Sequence, residues 1–259
     1  MKISKMLLLG MAALCLVAVS CSSSDSDELS TLEPGTGSVA FQVAPIAEFA
    51  TEARAVLNED DYRNPANYDV QLIDNATGQV KETWKGNALP AEQLKLKNGG
   101  YTLKAFYGDP TVVASTEKMY VYGETAFNVN SDQQEVSVTC TPTCARVKVA
   151  FDAAMDTYYA AYSVRFSTQA LGVGSIVWSG SPIYLKVAQK ESVKATISLT
   201  DKSSKTTSIE RSYEMSPNQG KLIQFKPVLQ GGQLGITITV DESTNDKPID
   251  IIIPSEWIL

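Results

Sequence analysis

A strict alternation of apolar and polar side chains recurs along this chain and constrains its fold more than any other feature. Its clearest example is residues 192–199, where valine, alanine, isoleucine and leucine alternate with serine, lysine and threonine. The same pattern occurs in residues 134–140, 145–151 and 234–240. In residues 145–151 it predicts that the arginine and the lysine lie on the solvent-exposed face. A period of two buries one face of a strand and leaves the other in water, which is typical of antiparallel sheets.

Turn signals between these segments indicate β-sandwiches. Asparagine and glycine residues at 75–78 and 98–100 separate short strand-like runs, as in sandwich domains. Pro142 interrupts the strand signal and divides the body into two parts of similar size. The sequence therefore predicts an all-β fold of two tandem antiparallel β-sandwich domains, residues 37–141 and 142–259.

Helical signal is weak along the whole chain. The best candidate is residues 152–162, where methionine and tyrosine side chains recur at helical spacing and Asp152 is placed to cap the first turn. A short helical turn is also expected within residues 87–93.

The first 20 residues have the character of a secretory signal. Two lysines precede an apolar run, residues 6–19, which is too short to span a bilayer. Small side chains then precede Cys21, as at a lipoprotein cleavage site. We expect removal of residues 1–20 and lipid attachment at Cys21, which anchors a protein without a transmembrane helix. The alternative is an ordinary signal peptide cleaved near Ser20, which leaves Cys21 unmodified.

Residues 21–36 are serine-rich and acidic and contain few apolar side chains, so they are expected to form a flexible tether. One interpretation is a spacer that lifts the body off the membrane. The other is a mark for export to the cell surface, because the acidic run beside Cys21 resembles the export signals of surface lipoproteins in Bacteroides-type bacteria.

Charge and composition exclude several classes of function. The chain has 22 basic and 29 acidic residues, and loss of Lys2 and Lys5 with the signal leaves 20 against 29, a net charge of −9. Such a balance argues against nucleic acid as a partner. The chain has no histidine, which excludes Ser-His-Asp and Cys-His catalysis and zinc ligation by histidine. We therefore expect a non-enzymatic protein without a cofactor or a metal.

Two acidic stretches are candidate sites. Oxygen-rich loops can bind calcium, and paired carboxylates can cleave glycosidic bonds. The first stretch has no calcium-binding motif, so a solvated loop is favoured there. The second could supply a glycosidase pair, but nothing in the sequence marks any of its residues out for catalysis. The first stretch is residues 58–61, and the second contains Asp241, Glu242, Asp246 and Asp250.

Cys140 and Cys144 are separated by three residues that include Pro142. In an exported protein they can form a disulfide, provided that the chain turns at the proline, because two positions four apart in a straight strand are too distant. Two separately buried thiols are the equal alternative. A metal site is the remote third, since two thiolates alone bind zinc poorly.

The three tryptophans are expected to have different roles. Trp84 and Trp257 are expected in the core, as is usual in sandwiches. Trp178 lies beside a serine- and glycine-rich segment and is the candidate ligand contact, which suits a glycan-binding surface protein. Three aromatic residues after the 98–100 turn are expected to be buried: Tyr101, Phe106 and Tyr107.

The last eleven residues, 249–259, form a strongly β-prone run. They are expected to be the final strand of the second domain. The alternative is a strand that pairs with a partner subunit.

Several segments together resemble a fimbrillin-type signature. They are residues 68–72 (YDVQL) with the Thr-Gly, valine and tryptophan that follow, 94–105 (LKLKNGGYTLKA), 127–138 and 144–149 (CARVKV). The chain resembles the domain-of-unknown-function lipoproteins of Bacteroides-type gut bacteria, which are related to fimbrillin and fimbrial anchor proteins. The resemblance implies two transthyretin-like β-sandwiches, an outer-membrane lipid anchor at the cell surface, and a role in fimbriae or adhesion. Fimbrial subunits or cell-surface glycans are the partners it implies.

The resemblance also implies a candidate processing site. Fimbrillins that polymerise are cut after a basic residue in the first strand, which opens a groove for a partner's strand. Arg54, within Thr-Glu-Ala-Arg-Ala at 51–55, is the candidate for such a cut. The alternative is an ordinary loop arginine. The short leader before the domain favours an anchor or a stand-alone surface protein over a stalk subunit.

Overall fold

The computed structural model describes residues 35–46, 49, 60–231, 233–241 and 249–252. In chain order the first strands are β1 (Thr36–Pro45), β2 (Asp69–Asp74), β3 (Gln79–Lys85), β4 (Leu94–Lys97), β5 (Gly99–Gly108), β6 (Ala114–Ser115), β7 (Tyr120–Val129), β8 (Gln133–Pro142) and β9 (Cys144–Phe151). The strands that follow are β10 (Tyr159–Ser167), β11 (Ile176–Val177), β12 (Ile183–Lys186), β13 (Glu191–Asp201), β14 (Thr206–Met215), β15 (Gly220–Gln230), β16 (Gln233–Asp241) and β17 (Ile249–Ile252).

Helical structure in the described residues is confined to short pieces. The helices α1 (Asp60–Arg63) and α2 (Met155–Tyr158) have four residues each, and single 3-10 turns occupy Pro65–Asn67 and Gly86–Ala88. None of these described helices is long and apolar enough to cross a membrane. The all-β fold class predicted from the alternation is confirmed.

The strands form three sheets. The seven-stranded sheet has the order β3-β2-β5-β7-β8-β1-β4, the four-stranded sheet β11-β10-β13-β14, and the six-stranded sheet β17-β16-β15-β9-β12-β6. Strand β8 ends at Pro142 and β9 begins at Cys144 in a different sheet, so the chain changes sheet at the predicted boundary. The division into domains 37–141 and 142–259 stays a prediction.

Two pairings depart from the antiparallel pattern that the alternation predicts. Strand β1 runs parallel to β8, and β9 runs parallel to β15. A parallel pair requires a long connection between its strands. That connection is available in both cases, since β2 to β7 lie between the first pair in the chain and β10 to β14 between the second.

Each half of the chain contributes most of one hydrophobic core. The first core draws on β1, β2, β5, β7 and β8, and the second on β9, β10, β12, β13, β15 and β16. The predicted alternation places the expected side chains inside: Val136, Val138 and Cys140 on β8, and Val193, Ala195, Ile197 and Leu199 on β13. Tyr184 on β12 packs into the first core, so the two cores share a boundary.

Two expectations from the sequence are wrong. Within residues 152–162 the helix is limited to α2 (Met155–Tyr158), because β10 begins at Tyr159 and includes residues 159–162. Pairing of β10 with β13 fixes these residues as strand, and tertiary pairing overrides a weak helical propensity. Arg146 and Lys148 are not on a wet face, since they are 5% and 9% exposed. The Arg146 guanidinium lies 4.7 Å from the centre of the Phe49 ring, which covers it.

Candidate functional site

Strand β1 lies between β8 and β4 in the seven-stranded sheet. It pairs with β8 along eight residues, from Ser38 opposite Gln133 to Pro45 opposite Cys140. Strand β4 pairs with only four residues of it, from Thr36 to Val39. Most of the length of β1 is therefore held by the ladder to β8.

The side chains of β1 close one side of the first core. Val39 is fully buried and Val43 is 6% exposed. Phe41 is half-buried, with its ring centre 5.7 Å from that of Trp84 and 6.1 Å from that of Phe127. Removal of β1 would leave an apolar groove beside the edge of β8, the geometry that an added strand requires.

The segment after β1 contributes a further anchor. Phe49 is 6% exposed and packs on Tyr184, with the ring centres 5.7 Å apart. Phe49 thus joins the first core to a strand of the six-stranded sheet. The lipid-attachment candidate Cys21 and the processing candidate Arg54 both lie outside the described residues, as do Trp257 and most of the second acidic stretch.

Cys140 and Cys144 are both buried, and the part of the chain that the structure describes contains no disulfide between them. The Cys140 thiol lies 3.6 Å from the carbonyl oxygen of Ala105 on β5, which is separated from β8 by β7. Burial raises the pKa of the Cys140 thiol to about 12, so it is protonated and unreactive at neutral pH. Of the alternatives left open by the sequence, the structure contains the two buried thiols.

Trp178 follows the short strand β11 and is half-buried. Its ring packs on Phe151 at 5.5 Å between centres, at the margin of the second core. The residue therefore has a packing role, and its role in ligand binding stays a prediction.

The first acidic stretch leads into α1. There Asp60 accepts a hydrogen bond from Arg63 at 2.9 Å, and the backbone carbonyl of Asp61 accepts one from Asn67. Among the described residues, no three histidine, cysteine, aspartate or glutamate side chains are placed to hold a metal ion together.

The expectation that Phe106 is buried with Tyr101 and Tyr107 is wrong. Phe106 is half-buried and packs into neither core, whereas Tyr101 is 2% exposed and the half-buried Tyr107 packs against the first core. The strand period contains the missed signal, because Phe106 is out of phase with the buried Leu103 and Ala105. Tyr120 and Tyr122 lie on the same outer face and were not singled out from the sequence.

Comparison with known proteins places the chain in a sequence family. The family model described as Domain of unknown function (DUF4493) matches residues 35–255. No curated protein matches the chain.

Three solved structures are similar to the chain at low identity. A candidate adhesin from Bacteroides ovatus is 12% identical over 83% of this chain and 95% of its own, with a TM-score of 0.46. A fimbrial assembly protein from Parabacteroides distasonis is 11% identical over 83% of this chain and 98% of its own, with a TM-score of 0.43. The fimbrial anchor protein Mfa2 from Porphyromonas gingivalis is 10% identical over 80% and 98%, with a TM-score of 0.42.

Proposed function

The chain belongs to the DUF4493 family, and we propose that it is a non-enzymatic, lipid-anchored protein of the outer-membrane surface that acts in fimbrial assembly or anchoring, or in adhesion. The observation that carries the proposal is Cys21, placed directly after an apolar signal and followed by an acidic tether and a β-strand body. Lipid on Cys21 would hold such a body at the membrane without a spanning helix.

A non-enzymatic role is supported by composition. The absence of histidine leaves carboxylates, lysine, tyrosine and serine for catalysis. In the described region the two carboxylates with lowered pKa values outside ion pairs, Asp109 and Asp201, accept hydrogen bonds within their own turns, from Thr111 and Ser203. These bonds shape loops and assemble no acid–base pair.

Assembly through strand pairing is supported by β1. Its ladder to β8 and the apolar groove beneath it are the elements that a partner's strand would need. The sequence resemblance to fimbrillins points the same way. Cleavage at Arg54 would separate β1 and Phe49 covalently from the rest of the body.

Lipid attachment is tested by feeding an alkyne analogue of palmitate to cells that express the full chain. We expect label on the wild type and on Cys15→Ala, the matched control within the signal, and none on Cys21→Ala. Protease added to intact cells should digest the wild-type chain while a periplasmic marker survives. Label on Cys21→Ala, or a chain protected from the protease, would overturn this part of the proposal.

Processing is tested by sequencing the N-terminus of the chain isolated from outer membranes. Cleavage at Arg54 gives a chain beginning at Ala55, and Arg54→Ala abolishes that terminus. Arg63→Ala is the control, because Arg63 is an exposed arginine on α1. A blocked terminus at Cys21 as the sole species would show that Arg54 is an ordinary arginine.

A further inference from the structure

The outer face of the seven-stranded sheet carries three aromatic side chains in mutual contact. Phe106 on β5 lies opposite Tyr122 on β7, and Tyr120 lies two residues before Tyr122 on the same face. The ring centre of Tyr120 is 6.4 Å from that of Phe106 and 6.1 Å from that of Tyr122, with the two tyrosine rings 24° from parallel. We call Phe106, Tyr120 and Tyr122 the aromatic platform.

Packing does not account for the platform. All three residues are half-buried, and none of them belongs to, or packs against, either hydrophobic core. Neighbouring positions on the same face are polar, as expected for a sheet face in water: Gln71, Thr102, Lys104 and Glu124. Exposed apolar surface costs roughly 25 cal/mol per Å², and contiguous apolar patches mark interaction sites.

A glycine lies beside the platform on β5. Gly108 is the residue opposite Tyr120 in the register of β5 and β7, so no side chain from β5 covers that position. The backbone requires glycine there, because its φ is +97° and an added Cβ would meet the carbonyl oxygen of Met119 at 2.0 Å. The glycine therefore lets the backbone at Met119 and Tyr120 approach β5 closely.

The charged side chains next to the platform bear on which class of ligand it can bind. Glu124 accepts a hydrogen bond from the Tyr122 hydroxyl and lies 3.5 Å from the Lys104 ammonium group. On the other side, Asp69 lies opposite Phe106 and pairs with Lys85. Glu124 and Asp69 are thus each paired with a lysine, so these two pairs add no net charge beside the rings.

From these contacts we propose that the aromatic platform binds a neutral oligosaccharide. A pyranose ring presents C–H groups on one face, which pack on an aromatic ring, and hydroxyl groups at its rim, which hydrogen-bond to polar side chains. Tyr120, Tyr122, Gln71 and Glu124 supply hydroxyl, amide and carboxylate groups around the rings. A nucleic acid would also stack on such rings, but its phosphates would be repelled by a mature chain of net charge −9, obtained from 20 basic and 29 acidic residues.

The tyrosines keep one protonation state across the physiological range. Burial raises the pKa of Tyr120, and burial together with the hydrogen bond to Glu124 raises the pKa of Tyr122. The same hydrogen bond lowers the pKa of Glu124. Binding at the platform is therefore independent of pH around neutrality.

The test uses the full mature chain, purified in detergent, on an array of neutral gluco-, manno- and galacto-oligosaccharides, with sialylated and sulfated glycans as charged probes. Neutral glycans should bind, and Tyr120→Ala or Phe106→Ala should weaken binding roughly tenfold, about 1.4 kcal/mol. Trp178→Ala, which alters the other candidate ligand contact, should leave the affinity unchanged. Unfolding in urea, measured on each variant, separates lost binding from lost folding.

Several outcomes would overturn the proposal. Binding to no neutral glycan, binding only to charged probes, or binding unchanged in a Phe106→Ala/Tyr120→Ala/Tyr122→Ala triple variant would each do so. Self-association that the triple variant abolishes, in the absence of glycan binding, would assign the face to a second copy of the chain instead. None of these results depends on lipid labelling or surface exposure, so the proposed function is tested separately.

Discussion

Strand β5 carries aromatic residues on both faces of the seven-stranded sheet, and the two groups differ in almost every respect. On the inner face Tyr101 is 2% exposed, stacks on Phe127 with ring centres 5.8 Å apart, and donates its hydroxyl to the carbonyl of Lys97. On the outer face Phe106 touches Tyr120 and packs into no core. The strand period, and not the residue type, decides which aromatic residue builds the core and which is left for another purpose.

From this difference we infer that the inner aromatic residues stabilise the fold and that the outer ones serve binding. Side chains inside the sheet are held by several neighbours and by bonds to the backbone, so truncating them leaves cavities and unpaired groups. Side chains on the platform contact one another and pack against neither core. Substitutions on the two faces should therefore separate loss of folding from loss of binding.

The largest effect is expected for truncation of an inner ring. Tyr101→Ala should lower the free energy of unfolding by about 3–5 kcal/mol, because it leaves a cavity beside Phe127. Phe106→Ala in the same strand should cost less than about 1 kcal/mol. Urea denaturation of both variants measures the difference, and equal losses would show that Phe106 is part of the core.

The second-largest effect is expected at alkaline pH, which should lower the free energy of unfolding through Cys140 on the inner face. The pKa of Cys140 is raised by burial from 9.0 to about 12, so the unfolded chain loses this proton at lower pH than the folded chain. This contribution to stability is complete below pH 9 and is lost as pH rises toward 12, by about 1.4 kcal/mol per pH unit. The midpoint of urea unfolding between pH 8 and 10 measures it. Cys140→Ala should flatten the dependence, and an unchanged slope would contradict the burial of the thiol.

A smaller effect is expected from removing single hydroxyl groups. Tyr101→Phe should cost about 1 kcal/mol, because the carbonyl of Lys97 loses its donor. Tyr120→Phe on the outer face should change the free energy of unfolding by only a few tenths of a kcal/mol. If Tyr120→Phe were the more costly of the two, the platform would have a structural role.

The smallest effect is expected at the polar rim. Lys104→Gln removes an ion pair to Glu124 whose side chains are 33% and 53% exposed, so it should cost about 0.5 kcal/mol or less. Adding salt to the wild type should have a similarly small effect. A large loss would show that Glu124 is held by more than solvent-exposed contacts.

Period-two patterns made the fold class and the buried faces of β8 and β13 predictable. The residues of β13 and β8 obey the alternation, and their core side chains could be read directly from the sequence. Pairing between distant strands could not be predicted from these local patterns. The sequence therefore indicates a helix at residues 152–162 and gives no sign of the parallel partners of β1 and β9.

The candidate sites were harder to predict because they depend on what covers a strand. The sequence pattern assigns Arg146 to the solvent-exposed face of its strand. In the structure, Phe49 from a distant segment covers it. Conversely, Phe106 belongs to an aromatic-rich strand, and only its contact with Tyr120 and Tyr122 across the sheet reveals a surface group. Contacts between distant segments, and not local pattern, decide both cases.

Assembly at the cell surface is the central claim about function, and one gel tests it most directly. Outer membranes from the native cells are run unboiled beside boiled samples and probed for this chain. Strand pairing through β1 predicts a high-mass band or ladder that collapses to the monomer on boiling. A single monomer band under both conditions would contradict strand-paired assembly.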